Sequence, residues 1–174
     1  MFIKAEPNFA DGFEGQVALR LVFSGCRKGA AGTPCQGCHN PELWQFKDEG
    51  LSVPEGEFVR TLEYWKNHDI RFDCISLVGG EPLDQKPEEL LHTMDLVRAV
   101  FGDIPVITYT GYTEEEVKAQ KLDGHPGITE ASYVKFGPYI EGLGPKGKLA
   151  SSNQRMTKAV KSPEGGRAFT EIEF

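Results

Sequence analysis

The chain has 174 residues, 39% hydrophobic and 26% charged, the balance of one globular domain with a substantial core. Its net charge is −7, from 19 basic and 26 acidic side chains, and no long Lys/Arg run offers a nucleic-acid backbone a footing. No apolar stretch approaches the roughly 18 residues of a membrane span, and the opening MFIKAEPNFADGF lacks the basic flank and apolar run of a signal peptide. The expectation is a cytoplasmic protein with neither nucleic-acid nor membrane partners.

In chain order, QVALRLVF (Gln16–Phe23) is apolar and β-branched enough to be a strand. It runs straight into SGCRKGAAGTPCQGCHN (Ser24–Asn40), which holds three of the four cysteines, Cys26, Cys35 and Cys38, with His39 next to the last. The stretch around PEGEFVRTLEYWKNH predicts a helix with Phe58, Val59, Leu62 and Trp65 on one stripe, Ser52 as N-cap and Pro54 in its first turn. Phe72–Val78 reads as a second apolar strand, with Cys74 a small core residue, and stops at Gly79-Gly80-Glu81-Pro82. KPEELLHTMDLVRAVFG predicts a helix with Leu90, Met94, Val97 and Phe101 on one face and Gly102 as C-cap. Ile104–Thr110 is the third strand, and TEEEVKAQK a short helix opened by the capping-box pair Thr113 and Glu116. A fourth strand around ASYVKF precedes GPYIEGLGPKGKLASSNQR, Gly/Pro-rich and mildly basic at Lys146, Lys148 and Arg155. Residues 157–174 read as a tail or an added strand.

Strand, helix, strand, repeated, implies an α/β domain with a mostly parallel sheet. A complete eight-unit barrel takes about 250 residues, more than this chain has. An open partial (β/α) barrel or a small doubly wound sheet fits, as a single domain with its core over about 16–156. In both architectures chemistry gathers at the carboxyl ends of the strands. The cysteine loop and Gly79–Pro82 both sit there.

Three crowded thiols point to metal or redox chemistry in a reducing compartment rather than to disulfides. Three readings compete. Structural zinc through Cys26, Cys35, Cys38 and His39 meets an awkward geometry, because His39 directly adjoins Cys38. A [4Fe–4S] electron carrier normally uses four thiolates, and only Cys74 is left to supply the fourth. The third reading is a [4Fe–4S] cluster with three protein ligands and one iron open to a small molecule. GGEP one βα unit later helps to decide, since its glycines permit close backbone approach and its glutamate accepts from an amino group.

A cysteine loop after the first strand and GGEP after the second resemble the radical S-adenosylmethionine enzymes. CQGCHNPELW, TYTGYTEEEV and ASSNQRM further resemble the activating enzymes of anaerobic (class III) ribonucleoside-triphosphate reductase, over roughly Val17 to Met156. The family's common spacing is C-x3-C-x2-C, whereas eight residues here separate Cys26 from Cys35; the insertion RKGAAGTP reads as small and flexible, at little closure cost. The resemblance implies a partial (β/α) barrel of radical S-adenosylmethionine type. It implies a [4Fe–4S] cluster on Cys26, Cys35 and Cys38, and S-adenosylmethionine held by Gly79, Gly80, Glu81 and Pro82, with Thr110 toward the nucleoside. It assigns no catalytic side chain: the cluster reduces the sulfonium, and the resulting 5′-deoxyadenosyl radical makes a glycyl radical on the large subunit of anaerobic ribonucleotide reductase. A low-potential donor such as flavodoxin or ferredoxin supplies the electron. A small radical enzyme acting on a metabolite, of deazapurine-synthase type, and a zinc or electron-carrier module are the alternatives. GPYIEGLGPKGKLASSNQR reads either as a solvated, mobile loop or, on this resemblance, as part of the partner-docking face. His68, His92 and His125 read as ordinary histidines, Trp44 and Trp65 as packing, and Asp11, Asp48 and Glu114–Glu116 as solvated charge or caps.

Overall fold

The computed structural model describes residues 2–13, 15–46, 53–147, 149–161 and 167–172. Ser52, Asp48 and Lys148, named above, lie outside the described residues. The fold is mixed α/β, around a seven-stranded sheet whose spatial order follows the chain. The strands are β1 (Phe2–Asn8), β2 (Ala18–Phe23), β3 (Cys74–Gly79), β4 (Val106–Tyr109), β5 (Tyr133–Phe136), β6 (Arg155–Lys161) and β7 (Arg167–Glu171). The helices are α1 (Arg27–Ala30), α2 (Glu55–Asn67), α3 (Pro87–Phe101), α4 (Glu114–Ala119) and α5 (Pro126–Thr129).

The sheet is parallel only at its centre, which corrects the expectation of a mostly parallel one. β2, β3, β4 and β5 pair in parallel, whereas β1 on β2, β6 on β5 and β7 on β6 are antiparallel. The connections explain the switch. A parallel pair needs a crossover of a dozen or more residues, usually helical, and α2, α3 and the α4–α5 pair supply three of them. Gly137–Gln154 contains no named helix, and the connection from β6 to β7 is short, so these strands return alongside their predecessors.

Alternation along β2 and β3 sends Leu19, Leu21, Phe23, Ile75 and Leu77 to one face. There they pack on Phe58, Leu62 and Trp65 of α2 and Leu90, Met94 and Val97 of α3. The helical stripes therefore fall where the spacing places them, with Val59 and Phe101 only partly covered. Pro54 is the N-cap of α2 rather than a first-turn residue and makes no side-chain cap bond, while the Thr113–Glu116 capping box at α4 is complete. A second cluster under α4 and α5 joins Leu83, Tyr112, Val117, Ile128 and Val134. Among the described residues no helix is long and apolar enough to cross a membrane.

The opposite face of the sheet carries Arg20 and Ser76, and Asp11 meets them there. Asp11 takes Arg20 through both carboxylate oxygens, each at 2.6 Å, and the Ser76 hydroxyl at 2.7 Å. It is 8% exposed, so it is a buried partner and not the solvated charge or cap that the sequence implied. Pairing with a guanidinium makes such burial tolerable. Cys74 is buried beside Ala18, Ile107 and Met156, with its thiol pushed up to about 11 by burial.

Candidate functional site

The cysteine loop is tied back on itself where it leaves β2. The Gly25 N–H donates to the Leu43 carbonyl at 2.8 Å and the Cys26 N–H to that of Trp44 at 2.9 Å. Within the eight-residue gap, Arg27–Ala30 form the short helix α1. Cys26 caps α1, its sulfur accepting from the Gly29 N–H at 3.4 Å. Gly29 lies so close under the Trp44 indole that a Cβ would come within 2.4 Å of the ring. Beyond α1 the loop docks on the segment after β5: the Glu141 N–H donates to the Gln36 carbonyl at 2.9 Å, and the His39 ring lies tilted by 53° against Tyr139 at 4.4 Å between ring centres.

Lys28, inside that gap, reaches the loop after β4. Its ammonium donates to Glu116 at 2.7 Å and to the Gly111 carbonyl at 3.2 Å, and lies 4.7 Å from the centre of the Tyr112 ring. Glu116 is the capping-box glutamate, so one residue fixes both the start of α4 and the cysteine loop. In a double-mutant cycle of Lys28→Met with Glu116→Gln, read by urea unfolding, the expected coupling is about 1 kcal/mol.

The loop after β3 is lashed to the same place. The Gly80 N–H donates to Phe23 at 2.9 Å and the Glu81 N–H to Gly25 at 2.8 Å. Gly79 has φ of +109°, and a Cβ there would sit 2.5 Å from the Phe23 carbonyl oxygen. The glycines thus admit a second backbone, a structural need the sequence did not reveal. The Glu81 carboxylate is buried and accepts from the Leu83 N–H at 3.1 Å and the Gly111 N–H at 2.8 Å, with the Thr110 side chain bonded to it as well. Burial outweighs those bonds, which favour the carboxylate, and leaves its carboxyl raised to about 7. Asp84 takes the Arg27 N–H at 2.6 Å and the Tyr112 hydroxyl at 2.9 Å, while the Gln85 amide donates to Ser24 at 3.1 Å and to Glu81 at 3.0 Å.

These three loops enclose a cavity of about 320 Å³. Cys26, Cys35, Cys38, Gly79, Gly80, Glu81 and Thr110 all line it; Pro82 is buried at the start of a short 3-10 helix and does not. Burial raises the thiols of Cys26 and Cys35, the direction that a metal must reverse to hold them as thiolates. Among the described residues no three His, Cys, Asp or Glu side chains converge as a single-ion site requires. The thiols instead share a cavity wall. Soft sulfur donors spread around open space fit an iron–sulfur cluster, in which each thiolate takes a different iron.

Sequence reasoning missed several residues of this cavity. Lys135, Tyr109 and Asp11 also line it. Burial pulls the Lys135 ammonium down to about 8 against the attraction of Glu81, and its nitrogen lies 5.4 Å from the centre of the Tyr109 ring. Tyr109 donates to the Asp11 carbonyl at 2.5 Å. The available signal was a lysine alternating with apolar residues in YVKF. Of the SSNQR signature, Ser151 and Gln154 are buried and bond each other, Gln154 also donating to Gly137 at 3.2 Å and Asn153 to Pro138 at 2.8 Å. These side chains brace their own loop. His125 is equally internal, capping α5 and bonded to the Gln85 carbonyl at 3.0 Å.

Comparison with known proteins bears on the thiols directly. The model of the 4Fe-4S single cluster domain family matches residues 12–157. Over 127 residues the chain is 27% identical to the anaerobic ribonucleoside-triphosphate reductase-activating protein of Enterobacteria phage T4, covering 70% of this chain and 74% of that one. No solved structure gives a significant match. The resemblance to radical S-adenosylmethionine activating enzymes read from the motifs is thus met by similarity along the chain. Because the match spans most of the chain and includes all three cavity thiols, the chain belongs to the 4Fe-4S single cluster domain family.

Proposed function

We propose that this protein is a radical S-adenosylmethionine activating enzyme that installs a glycyl radical on anaerobic ribonucleotide reductase. The observation that carries the reading is the shared cavity: three thiols and Gly79–Glu81 line one space of about 320 Å³. Cys26, Cys35 and Cys38 hold a [4Fe–4S] cluster, and the amino-acid end of S-adenosylmethionine lies against the loop after β3. The parallel strands, with Arg20, Ser76, Tyr109 and Lys135 on the face turned from α2 and α3, are read as a partial (β/α) barrel of radical S-adenosylmethionine type. A [4Fe–4S] cluster held by Cys26, Cys35 and Cys38 would supply one electron to the sulfonium, whose C–S bond would break to give methionine and the carbon radical that takes hydrogen from a glycine of the large reductase subunit.

The chain's own residues bind, orient and shield. Glu81 has one accepted N–H on each oxygen and keeps lone pairs for an amino group. Lys135 supplies a cation on the same cavity for a carboxylate. Together they match the two ends of an amino acid. Thr110 lines the same cavity, bonds Glu81 through its side chain, and stands toward the nucleoside side. The partner approaches over the exposed residues 141–147, beside the cavity. The electron donor is a low-potential protein of flavodoxin or ferredoxin type, and the setting is the cytoplasm.

The reading fixes a pH dependence. Glu81 binds a proton up to about pH 7 and must release it to present a full carboxylate. Affinity for S-adenosylmethionine, measured by anaerobic equilibrium binding, is expected to weaken by up to about tenfold per pH unit below 7, to be greatest between about 7 and 8, and to fall again above about 8 as Lys135 loses its proton.

The deciding experiment is anaerobic reconstitution with iron, sulfide, S-adenosylmethionine, a reductant and the reductase subunit. A glycyl-radical EPR signal on the subunit is expected. Cleavage of S-adenosylmethionine without that signal would indicate a metabolite enzyme, and a colourless zinc protein would sink the cluster altogether.

A further inference from the structure

Each of the three loop thiols receives one N–H donor. Cys26 takes the Gly29 backbone N–H at 3.4 Å, Cys35 takes a backbone bond from Tyr139, and Cys38 takes the Trp44 indole Nε1–H at 3.3 Å. Two of these donors are main chain. Trp44 alone is a side chain, and it is held from both sides: its ring covers Gly29, and its carbonyl accepts from Cys26. A tryptophan placed only to pack would need its ring and not this direction of its N–H.

We infer that Trp44 tunes the reduction potential of the cluster through Cys38, a role that rests on the cluster reading above. One-electron reduction adds negative charge that the sulfur ligands share. A hydrogen bond to a more negative acceptor is stronger, roughly twofold between neutral and charged partners. The indole N–H therefore favours the reduced cluster and makes it easier for a donor to charge. Hydrogen bonds to sulfur are among the levers that set such potentials across their wide range.

The test is an anaerobic potentiometric titration of the reconstituted protein, following the EPR signal of the reduced cluster. Trp44→Phe keeps a ring over Gly29 and removes the donor. A second variant places 3-benzothienylalanine at position 44, which keeps the indole shape and replaces N–H with sulfur. Both are expected to titrate at lower potential than the wild type, by a threefold to tenfold change in the reduction equilibrium; tenfold is about 59 mV for one electron. Should Trp44→Phe fail to assemble a cluster, the isosteric variant decides. Potentials equal to wild type overturn the inference, as does a shift in Trp44→Phe that the isostere does not share, because packing would then be the cause. A wild-type protein that takes up no iron overturns the cluster reading and this inference with it.

Discussion

Replacement of any one of Cys26, Cys35 and Cys38 by alanine is expected to abolish stable cluster assembly, taking iron from about four per chain to a small residue. Cys74→Ala should leave it intact. The contrast follows from place. Three thiols line the cavity, while Cys74 is packed among Ala18, Ile107 and Met156 at the amino end of β3, where its thiol is pushed up to about 11. A cluster with three protein ligands has no spare, and the neighbouring side chains offer no soft replacement: His39 is turned onto Tyr139, and Glu81 is a hard carboxylate that accepts from Leu83 and Gly111. Truncating Cys74 leaves only a void about the size of a methyl group, at a cost of ~1 kcal/mol. Anaerobic reconstitution followed by iron and sulfide analysis and the visible absorption band reads the difference. An alanine variant of Cys35 with full iron would remove that residue from the ligand set, and a Cys74 variant without iron would add it.

The central architecture was legible because apolar runs and helical stripes are local signals. FDCISLV and IPVITYT announce buried strands, and the Phe58–Leu62–Trp65 spacing announces the face that α2 buries. The edges were not. FIKAEPN mixes charge with Pro7, and edge strands tolerate both, so β1 carried no apolar pattern to read. The helix α1 was invisible for a different reason. RKGA is too short to be helical by propensity, and it forms because Cys26 caps it and Trp44 closes over Gly29. Asp11 and Lys28 show the same limit, since their meaning depends on partners at Arg20 and Ser76, and at Gly111 and Glu116. The site motifs were legible in type but not in full. The thiols and GGEP named the cavity, whereas Lys135 and Tyr109 enter it only once β4 and β5 stand side by side.

Gly80→Ala is expected to lower stability by roughly 3–5 kcal/mol, a large part of the 5–15 kcal/mol typical of a domain. A Cβ at Gly80 would lie 2.4 Å from the Gly25 carbonyl oxygen and 2.9 Å from its carbon. Those atoms are backbone and cannot swing aside. Hydrogen bonds from Gly80 to Phe23 and from Glu81 to Gly25 hold the two strand ends together, and Gly25 is tied in turn to Leu43. Relief therefore requires the cysteine loop and the loop after β3 to part. The expected fall in Tm is roughly 6–20 °C for a domain of this size. Gly124→Ala is the control, because a Cβ there meets nothing within 4 Å; it should stay within about 1 kcal/mol of the parent. The displacement falls first on Gly25, next to Cys26, so iron retention should decline at temperatures where the variant is still folded by far-UV circular dichroism. Loss of iron only in step with unfolding would mean that Gly79 and Gly80 serve the fold alone. Earlier loss would show that the backbone contact between the two strand ends sets the position of the first thiol.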